Sequence, residues 1–554
     1  MQKIKDFELA VKFHHEGLLE KADTICRKIL SKKPKHAHAL HLLGVIAQQQ
    51  GDTESAIVHY KKAVVAKSNF MEAHNSLGGA LLATRELDES VESFRRAVGI
   101  RTDYAEALGN LGIVLKDCGL VEDSISVLRR ALAVRPAWHE ARSALLLSHH
   151  YAFENNPISL LEMHRQWNKI HAGHLTDTFA CHTNCRDLNR RLRIGFVSPD
   201  FKDHPVIHFI LPFLENYDRN QIELFVYSQV ADLDEWTEMA SKHVDHWRSL
   251  VHVPDVEAAT LIRSDQIDIL VDLAGHTNGN RLLVFAHKPA PIQVTYLGYP
   301  DTSGLAAMDY RITDALADPP GMTENHNTEQ LIRLPGCAWC YGAYSDILPN
   351  KSPAAMNNYV TFGSFNNLAK VNDRMLRVWA RILEAVPSSR LLLKAAGFRS
   401  MEARKRVREI FFLHSGIDED RLDFRLPEEK HESHLALYGE MDIALDTFPY
   451  HGTTTTCEAL WMGVPVVILE GKSHVSRVGV SLLTSIGLPE MVAVSEDEYV
   501  KIAVTLAGNV ELLKSHRENL RDKLQNSRLL DGISFSRDLE SVFRQMWKLW
   551  ALNV

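Results

Sequence analysis

DIALDTFPYHGTTTTCEALWMGVPVVIL, residues 442–469, sets two apolar, β-rich runs around a polar loop and a short helical segment. A buried strand ends at Asp446, a tight loop carries Gly452, and a helix begins among Thr453 to Thr456 and stops before Gly463 and Pro465. Strand, helix and strand in so few residues make the repeating unit of a parallel sheet. Four consecutive threonines are poor helix interior but good helix entry, because their hydroxyls cap free N–H groups. Where those N–H groups face a cleft, the helix terminus binds phosphate, aided by the partial positive charge of its dipole. Glu458, one turn in from Thr454, is placed to accept hydrogen bonds from a ribose diol. The alternative is a plain N-cap followed by an acid that the dipole favours.

Outward from this segment the same texture continues in both directions. LRIGFVS (192–198), IELFVYS (222–228), IDILVDL (267–273) and IQVTYLG (292–298) form one set of strands, ahead of a proline-bearing seam, SDILPNKSPAAM (345–356). YVTFGSF (359–365), RLLLKA (390–395), RLDFRL (421–426), DIALDTF (442–448) and VPVVIL (464–469) form a second set. Strands alternating with helical stretches predict two doubly wound, Rossmann-like halves with a ligand in the cleft outside their strand ends. In the second half, Lys370 falls just before a helix whose start is marked by Asn372 and Asp373, and a lysine there reaches a diphosphate as a point charge.

The first 140 residues repeat with a period of 34. Gly17, Gly51 and Gly119 recur in register with Arg85 at the missing step, and Gly44, Gly78 and Gly112 form a second series. Ala39, Ala73, Ala107 and Ala141 form a third series, and Ala63, Ala97 and Ala131 a fourth. This is the tetratricopeptide pattern, in which small residues let paired helices approach and stacked pairs leave a concave groove for extended peptide. Propping up or dimerising the rest of the chain is the other use of such an array, and no residue in it looks catalytic. The period fails between 142 and 190, where SALLLSHHYAF and ISLLEMHRQWNKIHAG still read as helices.

Composition excludes several classes. The 554 residues are 45% hydrophobic and carry a net charge of -8, with no long basic run and no apolar stretch of spanning length. Nucleic-acid and membrane partners are therefore not expected. The N-terminal MQKIKDFELAVKFHHEG lacks a secretory pattern, and seven cysteines fit a reducing, cytoplasmic setting. Cys181, Cys185, Cys337 and Cys340 lack zinc-ribbon spacing, and Asp232 and Asp234 of DLD are two acids in a charged loop, so no metal is assigned.

LDTFPYHGTTTTCEALWMGVPVV, VTFGSFNNLAKV, VDLAGHTNGNRL, KPAPIQVTYLGYP and DYRITDALADPP together resemble the catalytic region of the O-GlcNAc transferase and SPINDLY family, most closely its SPINDLY branch. The likeness covers roughly residues 190–545, and the tetratricopeptide front matches the family's domain order. It implies an α-solenoid followed by a two-domain GT-B glycosyltransferase. The expected division is a repeat array at 1–141, a helical bridge at 142–190, an acceptor-side Rossmann-like half at 191–350, and a nucleotide-sugar half at 351–554 with closing C-terminal helices.

The resemblance also implies an inverting, metal-independent transfer, with no cofactor, from a nucleotide-sugar donor to Ser/Thr of proteins bound by the array. UDP-GlcNAc and GDP-fucose both stay open as donors: the O-GlcNAc transferase branch has a histidine at Thr453 and an aspartate at Glu458, and the resemblance to the SPINDLY branch, which the local sequence is nearer to, implies fucose from a GDP donor. Residue by residue, Lys370 resembles the lysine that neutralises the diphosphate, with Asn367 beside it. Gly452, Thr453, Thr454 and Thr455 resemble the phosphate loop, Glu458 the ribose-binding acid, and His434 a histidine contacting the nucleoside, with His431 a weaker candidate. His204 of SPDFKDHPVIHF matches a histidine proposed as catalytic base that lines the acceptor-sugar pocket, and His276 of GHT is expected to face the same cleft. Homo-oligomerisation is left open. The rival functions are a scaffold with a vestigial transferase half and a transferase acting on non-protein acceptors.

Overall fold

A computed structural model describes residues 2–153, 156–176, 181–428 and 430–552. The chain divides into two compact units, one formed by 1–141 with 396–407 and the other by 142–395 with 408–554.

The first unit is an α-solenoid of eight helices, Gln2–His15 through Val121–Val134, paired in antiparallel fashion. The 34-residue period has a backbone cause. Gly17, Gly51 and Gly119 turn between paired helices at φ of 74°, 83° and 75°, and Arg85 takes the same left-handed conformation at 64° in place of glycine. Gly44, Gly78 and Gly112 lie against Tyr60, Phe94 and Leu128, each sixteen residues on, where a Cβ would collide with the facing side chain. Ser400 Oγ and the Met401 N–H, from the returning segment, donate to the carboxylate of Asp88 in this unit.

The second unit holds two parallel sheets. Its first comprises β1 (Leu192–Ser198), β2 (Ile222–Ser228), β3 (His246–Ser249), β4 (Ile269–Asp272), β5 (Ile292–Thr295), β6 (Tyr310–Asp314) and β7 (Gln330–Leu334), ordered β3-β2-β1-β4-β5-β6-β7. The other comprises β8 (Thr361–Ser364), β9 (Arg390–Lys394), β10 (Leu422–Arg425), β11 (Ile443–Leu445), β12 (Val466–Leu469) and β13 (Val492–Ala493), ordered β10-β9-β8-β11-β12-β13. Strand order therefore reverses between β1 and β4 and again between β8 and β11, and crevices at such crossovers are where doubly wound sheets bind ligands. Both crossovers carry expected site residues. His204 follows β1, His276 follows β4, Lys370 follows β8, and the threonine loop follows β11.

Four strands escape the sequence reading. β3 and β7 are partly exposed edge strands bearing His246, Arg248 and Arg333, β6 mixes Arg311, Thr313 and Asp314 into its run, and β13 has two residues. Alternation and β-branched enrichment are weakest at such places.

A larger correction concerns the C-terminal helix, Gly532–Leu552, expected to close the nucleotide-sugar half. Its buried stripe, including Phe535, Leu539, Phe543 and Trp547, packs into the core of the first sheet with Leu192, Ile194, Phe213 and Ile222. Trp547 Nε1 donates to Asp187 O at 3.1 Å, and Arg544 donates to the carbonyls of Leu188 and Arg190. An amphipathic stripe states that a helix is covered, not which sheet covers it. Among the described residues no helix is long and apolar enough to cross a membrane.

Candidate active site

The β8/β11 crossover is built around Asp446. Its Oδ1 accepts from the Thr447 and Gly452 N–H groups, each at 2.8 Å, and from Asn366 Nδ2 at 3.0 Å. Asn366 in turn accepts from Thr455 Oγ1 at 3.2 Å, so the loops after β8 and β11 are tied side chain to side chain. Burial raises the Asp446 carboxyl above its usual range, with His451, the Gly452 amide and Lys370 opposing. Gly452 is required by contact: a Cβ there would strike Thr455, Asn366 and Asp446.

Lys370 closes a short 3-10 turn, Leu368–Lys370, and Asn372 caps the following helix, Asp373–Ala385, by accepting from the Met375 N–H. The Lys370 ammonium donates to His451 O at 2.9 Å and lies 4.2 Å from the Tyr450 ring centroid. Burial lowers its pKa to about 8, with Asp446 acting the other way. The cation thus sits on the loop that leads into the helix Thr454–Trp461.

The threonines do not act as expected. Thr453 is the N-cap residue but makes no side-chain cap, Thr455 donates to Asn366, and Thr456 Oγ1 donates back to Gly452 O. The Thr455 and Thr456 hydroxyls are spent on the loop and Thr453 does not cap, which leaves the first-turn N–H groups to an outside acceptor. Asn367 is likewise occupied, its Oδ1 accepting from the Ala369 N–H at 3.0 Å. The neighbour that joins the two loops is Asn366, and nothing in the sequence separates the two asparagines.

Beside this loop lies a second cluster. Glu458 is buried, and its Oε2 accepts from His434 Nε2 and from the Tyr438 hydroxyl, both at 2.9 Å. Burial raises its carboxyl, against Lys394 and Tyr438. The other ring nitrogen of His434 meets the Lys394 ammonium. His431 stacks on His208 of the first half, with ring centroids 5.3 Å apart and planes at 23°. Asn366, Asp446, Lys394 and His208 are absent from the sequence-derived site. The only local signal for Lys394 is its position at the carboxyl end of a central strand.

The β1/β4 crossover differs. His204 accepts from the Val206 N–H through Nδ1 at 3.3 Å, and that atom lies 3.7 Å from Asp200 Oδ1. Its pKa is pushed down to about 4, chiefly by burial and further by Lys202 and His208. Burial raises Asp200 to about 7 and Asp272 to about 6.

His276 does not face the cleft. It is buried, with Nδ1 2.9 Å from Ser143 Oγ and Nε2 2.8 Å from Ser303 O, and it packs against Trp167, His164 and Tyr299. Both ring nitrogens are used where the linking helices meet the first sheet, which removes His276 from the sugar pocket.

Neither sequence-level metal alternative assembles. Cys337 and Cys340 are buried whereas Cys181 and Cys185 are exposed. Asp234 caps the helix Glu235–Lys242 and accepts from the Asp203 N–H. Among the described residues His150, His164 and Asp301 are close enough to share an ion. The Tyr299 hydroxyl lies between the two imidazoles, 3.0 and 2.8 Å from their Nε2 atoms.

Comparison with known proteins places this arrangement. A model described as glycosyl transferase family 41 matches residues 162–352 and 351–539, and a tetratricopeptide repeat model matches 37–69. A Solanum lycopersicum protein named as a probable UDP-N-acetylglucosamine–peptide N-acetylglucosaminyltransferase SPINDLY is 43% identical over 408 residues, 73% of this chain and 44% of that one. The similarly named SEC protein of Arabidopsis thaliana is 32% identical over 65% of this chain and 37% of its own. The chain spans less than half the length of these curated relatives. A solved structure, a lysine-to-methionine mutant of Thermobaculum terrenum O-GlcNAc transferase, superposes with a TM-score of 0.86 at 36% identity, covering 93% of this chain and 98% of that one. With the family model matched along most of its length, two parallel Rossmann-like sheets and a tetratricopeptide front, this chain belongs to glycosyl transferase family 41.

Proposed function

We propose that the protein transfers GlcNAc or fucose from UDP-GlcNAc or GDP-fucose to Ser/Thr hydroxyls of other proteins, with inversion, without a metal, in the cytoplasm. The observation that carries this reading is the placement of Lys370 on the His451 carbonyl, at the entrance to a helix whose first-turn amides its threonines leave uncapped. A cation and a bare helix N-terminus on one loop hold a diphosphate.

In the transfer, the acceptor oxygen forms a bond to the anomeric carbon from the face opposite the nucleotide. The bond from that carbon to the phosphate oxygen breaks, and the nucleoside diphosphate departs with the electron pair. Lys370 and the amides of Thr454 and Thr455 stabilise the growing charge on the phosphates, where preorganised donors are worth most. Gly452 lets the loop close, Thr453 starts the helix, and His434 and Glu458 take the nucleoside, with His431 at the rim.

The acceptor proton goes to a phosphate oxygen in this reading. His204 accepts the Val206 amide through Nδ1, so its neutral tautomer carries the proton on Nε2 and leaves that atom no lone pair for the acceptor's proton. It serves instead to shape the sugar pocket. The solenoid presents the acceptor, and the relatives' names supply peptide as acceptor and UDP-GlcNAc as donor; GDP-fucose stays in view only through the resemblance of the catalytic blocks to the SPINDLY branch.

The deciding experiment incubates purified protein with a peptide pool and either UDP-GlcNAc or GDP-fucose, and reads peptide masses and donor hydrolysis. A mass increment of one sugar on Ser/Thr with one donor is expected. Failure of both transfer and hydrolysis makes the protein a scaffold, and hydrolysis with transfer only to glycans moves the acceptor class.

A further inference from the structure

We propose that Lys394 is a positioning residue for the donor's nucleoside, acting through His434. This rests on the donor pocket proposed above and adds a residue to it.

Lys394 ends β9 and is buried, with 4% of its surface exposed. A buried ammonium needs partners, and this one has the face of Phe365, 4.4 Å from nitrogen to centroid, and the Nδ1 atom of His434. The far side of the same imidazole fixes the tautomer. Its Nε2 lies 2.9 Å from Glu458 Oε2, and a carboxylate only accepts, so Nε2 carries the hydrogen. Nδ1 then has a lone pair, which the Lys394 ammonium fills as donor. Protonation of Nδ1 would set two donors and two positive charges against each other, so Lys394 holds the ring in its neutral, Nε2–H form.

The chain runs from Lys394 through His434 to Glu458, with the Tyr438 hydroxyl donating to the same Oε2. Two consequences follow. The His434 ring is fixed in plane, flanked by Phe365 and Tyr438 at centroid distances of 6.3 and 5.6 Å, and offers a nucleobase an uncharged, oriented face. Glu458 has its Oε2 engaged by two donors, which leaves Oε1 to accept a ribose hydroxyl. The three residues are 40 and 24 positions apart in sequence, so only the fold assembles them.

The test compares the protein with its Lys394→Met, Lys394→Arg and His434→Gln variants. Ring nitrogen shifts are read by two-dimensional NMR with His434 identified by its loss in His434→Gln, and UDP and GDP affinities by calorimetry. Lys394→Met is expected to shift the His434 Nδ1 signal and weaken the better-binding nucleotide by about ten- to a hundredfold. Turnover at saturating donor should fall much less, and Lys394→Arg should recover most of the affinity. An unmoved His434 signal, or unchanged affinity in a Lys394→Met protein with wild-type melting, overturns the proposal. If Lys370→Met and His434→Gln also bind nucleotide as wild type does, the donor pocket itself is wrong; if they lose binding and Lys394→Met does not, only this inference fails.

Discussion

At the β1/β4 crossover the ionisable side chains include Asp200, Lys202, His204, Asp272 and His276, and at the β8/β11 crossover they include Lys370, Asp446 and the groups around Glu458. Both sheets have the same strand order at this point. The first crossover presents acids raised by burial and a histidine with a lowered pKa, and the cation acting on Asp200 and His204 is the exposed Lys202. The second keeps a lysine on the loop that enters an uncapped helix. One topology thus serves two tasks, because a crossover fixes where a ligand sits while the side chains after the strand ends fix its charge.

The sharpest way to break this comparison is to remove the cation. Lys370→Ala should lower turnover by roughly two to three orders of magnitude, the scale for losing one preorganised donor to a developing charge, and should lower donor affinity less. His204→Ala should mostly raise the donor or acceptor requirement. Steady-state kinetics of both variants decide between them. Near-normal turnover in Lys370→Ala with none in His204→Ala would restore a histidine base.

The next effect concerns the histidines behind the first crossover. Burial holds His164 at about 4 and His150 and His276 well below the usual value. Each binds its proton more readily unfolded than folded, so the stability it contributes is complete above about pH 6.5 and declines as pH falls toward 4. His164 alone is worth on the order of 3 kcal/mol across that window. Denaturant melts from pH 7.5 to 4.5 should show the loss, and His164→Gln should flatten part of it. A midpoint independent of pH would mean that these rings are not buried as described.

A third measurement sharpens the role of Lys370. With its pKa near 8 in the free protein, the ammonium that meets a diphosphate is present below pH 8 and lost above it. Nucleotide affinity should therefore fall about tenfold per pH unit above 8, and Lys370→Met should abolish that slope. Calorimetry at pH 7, 8 and 9 with UDP or GDP reads it directly. The smallest expected effect is that of a strong chelator, which should leave transfer unchanged because a lysine and a helix terminus supply the positive potential. Activity lost in chelator and restored by magnesium or manganese would reverse this.

How much was legible in the sequence divides along one line. The solenoid followed from a period of 34, because each repeat contacts only its neighbours and its signal is local. The strand ends before His204, Lys370 and Thr453 were legible for the same reason: an apolar run stops, and polar or small residues begin. What the tertiary structure decided is which distant groups meet. Asn366 rather than Asn367 reaches Asp446, 80 residues on, and His276 turns toward Ser143 and Ser303 instead of the cleft. Lys394 finds His434, and the C-terminal helix covers the first sheet rather than the second. Sequence by itself determined the elements, the doubly wound halves and the loops that carry chemistry, since hydrophobic period and turn residues act over a few positions. Partner choice depends on side chains brought together by packing across tens to hundreds of residues, and no local pattern encodes it.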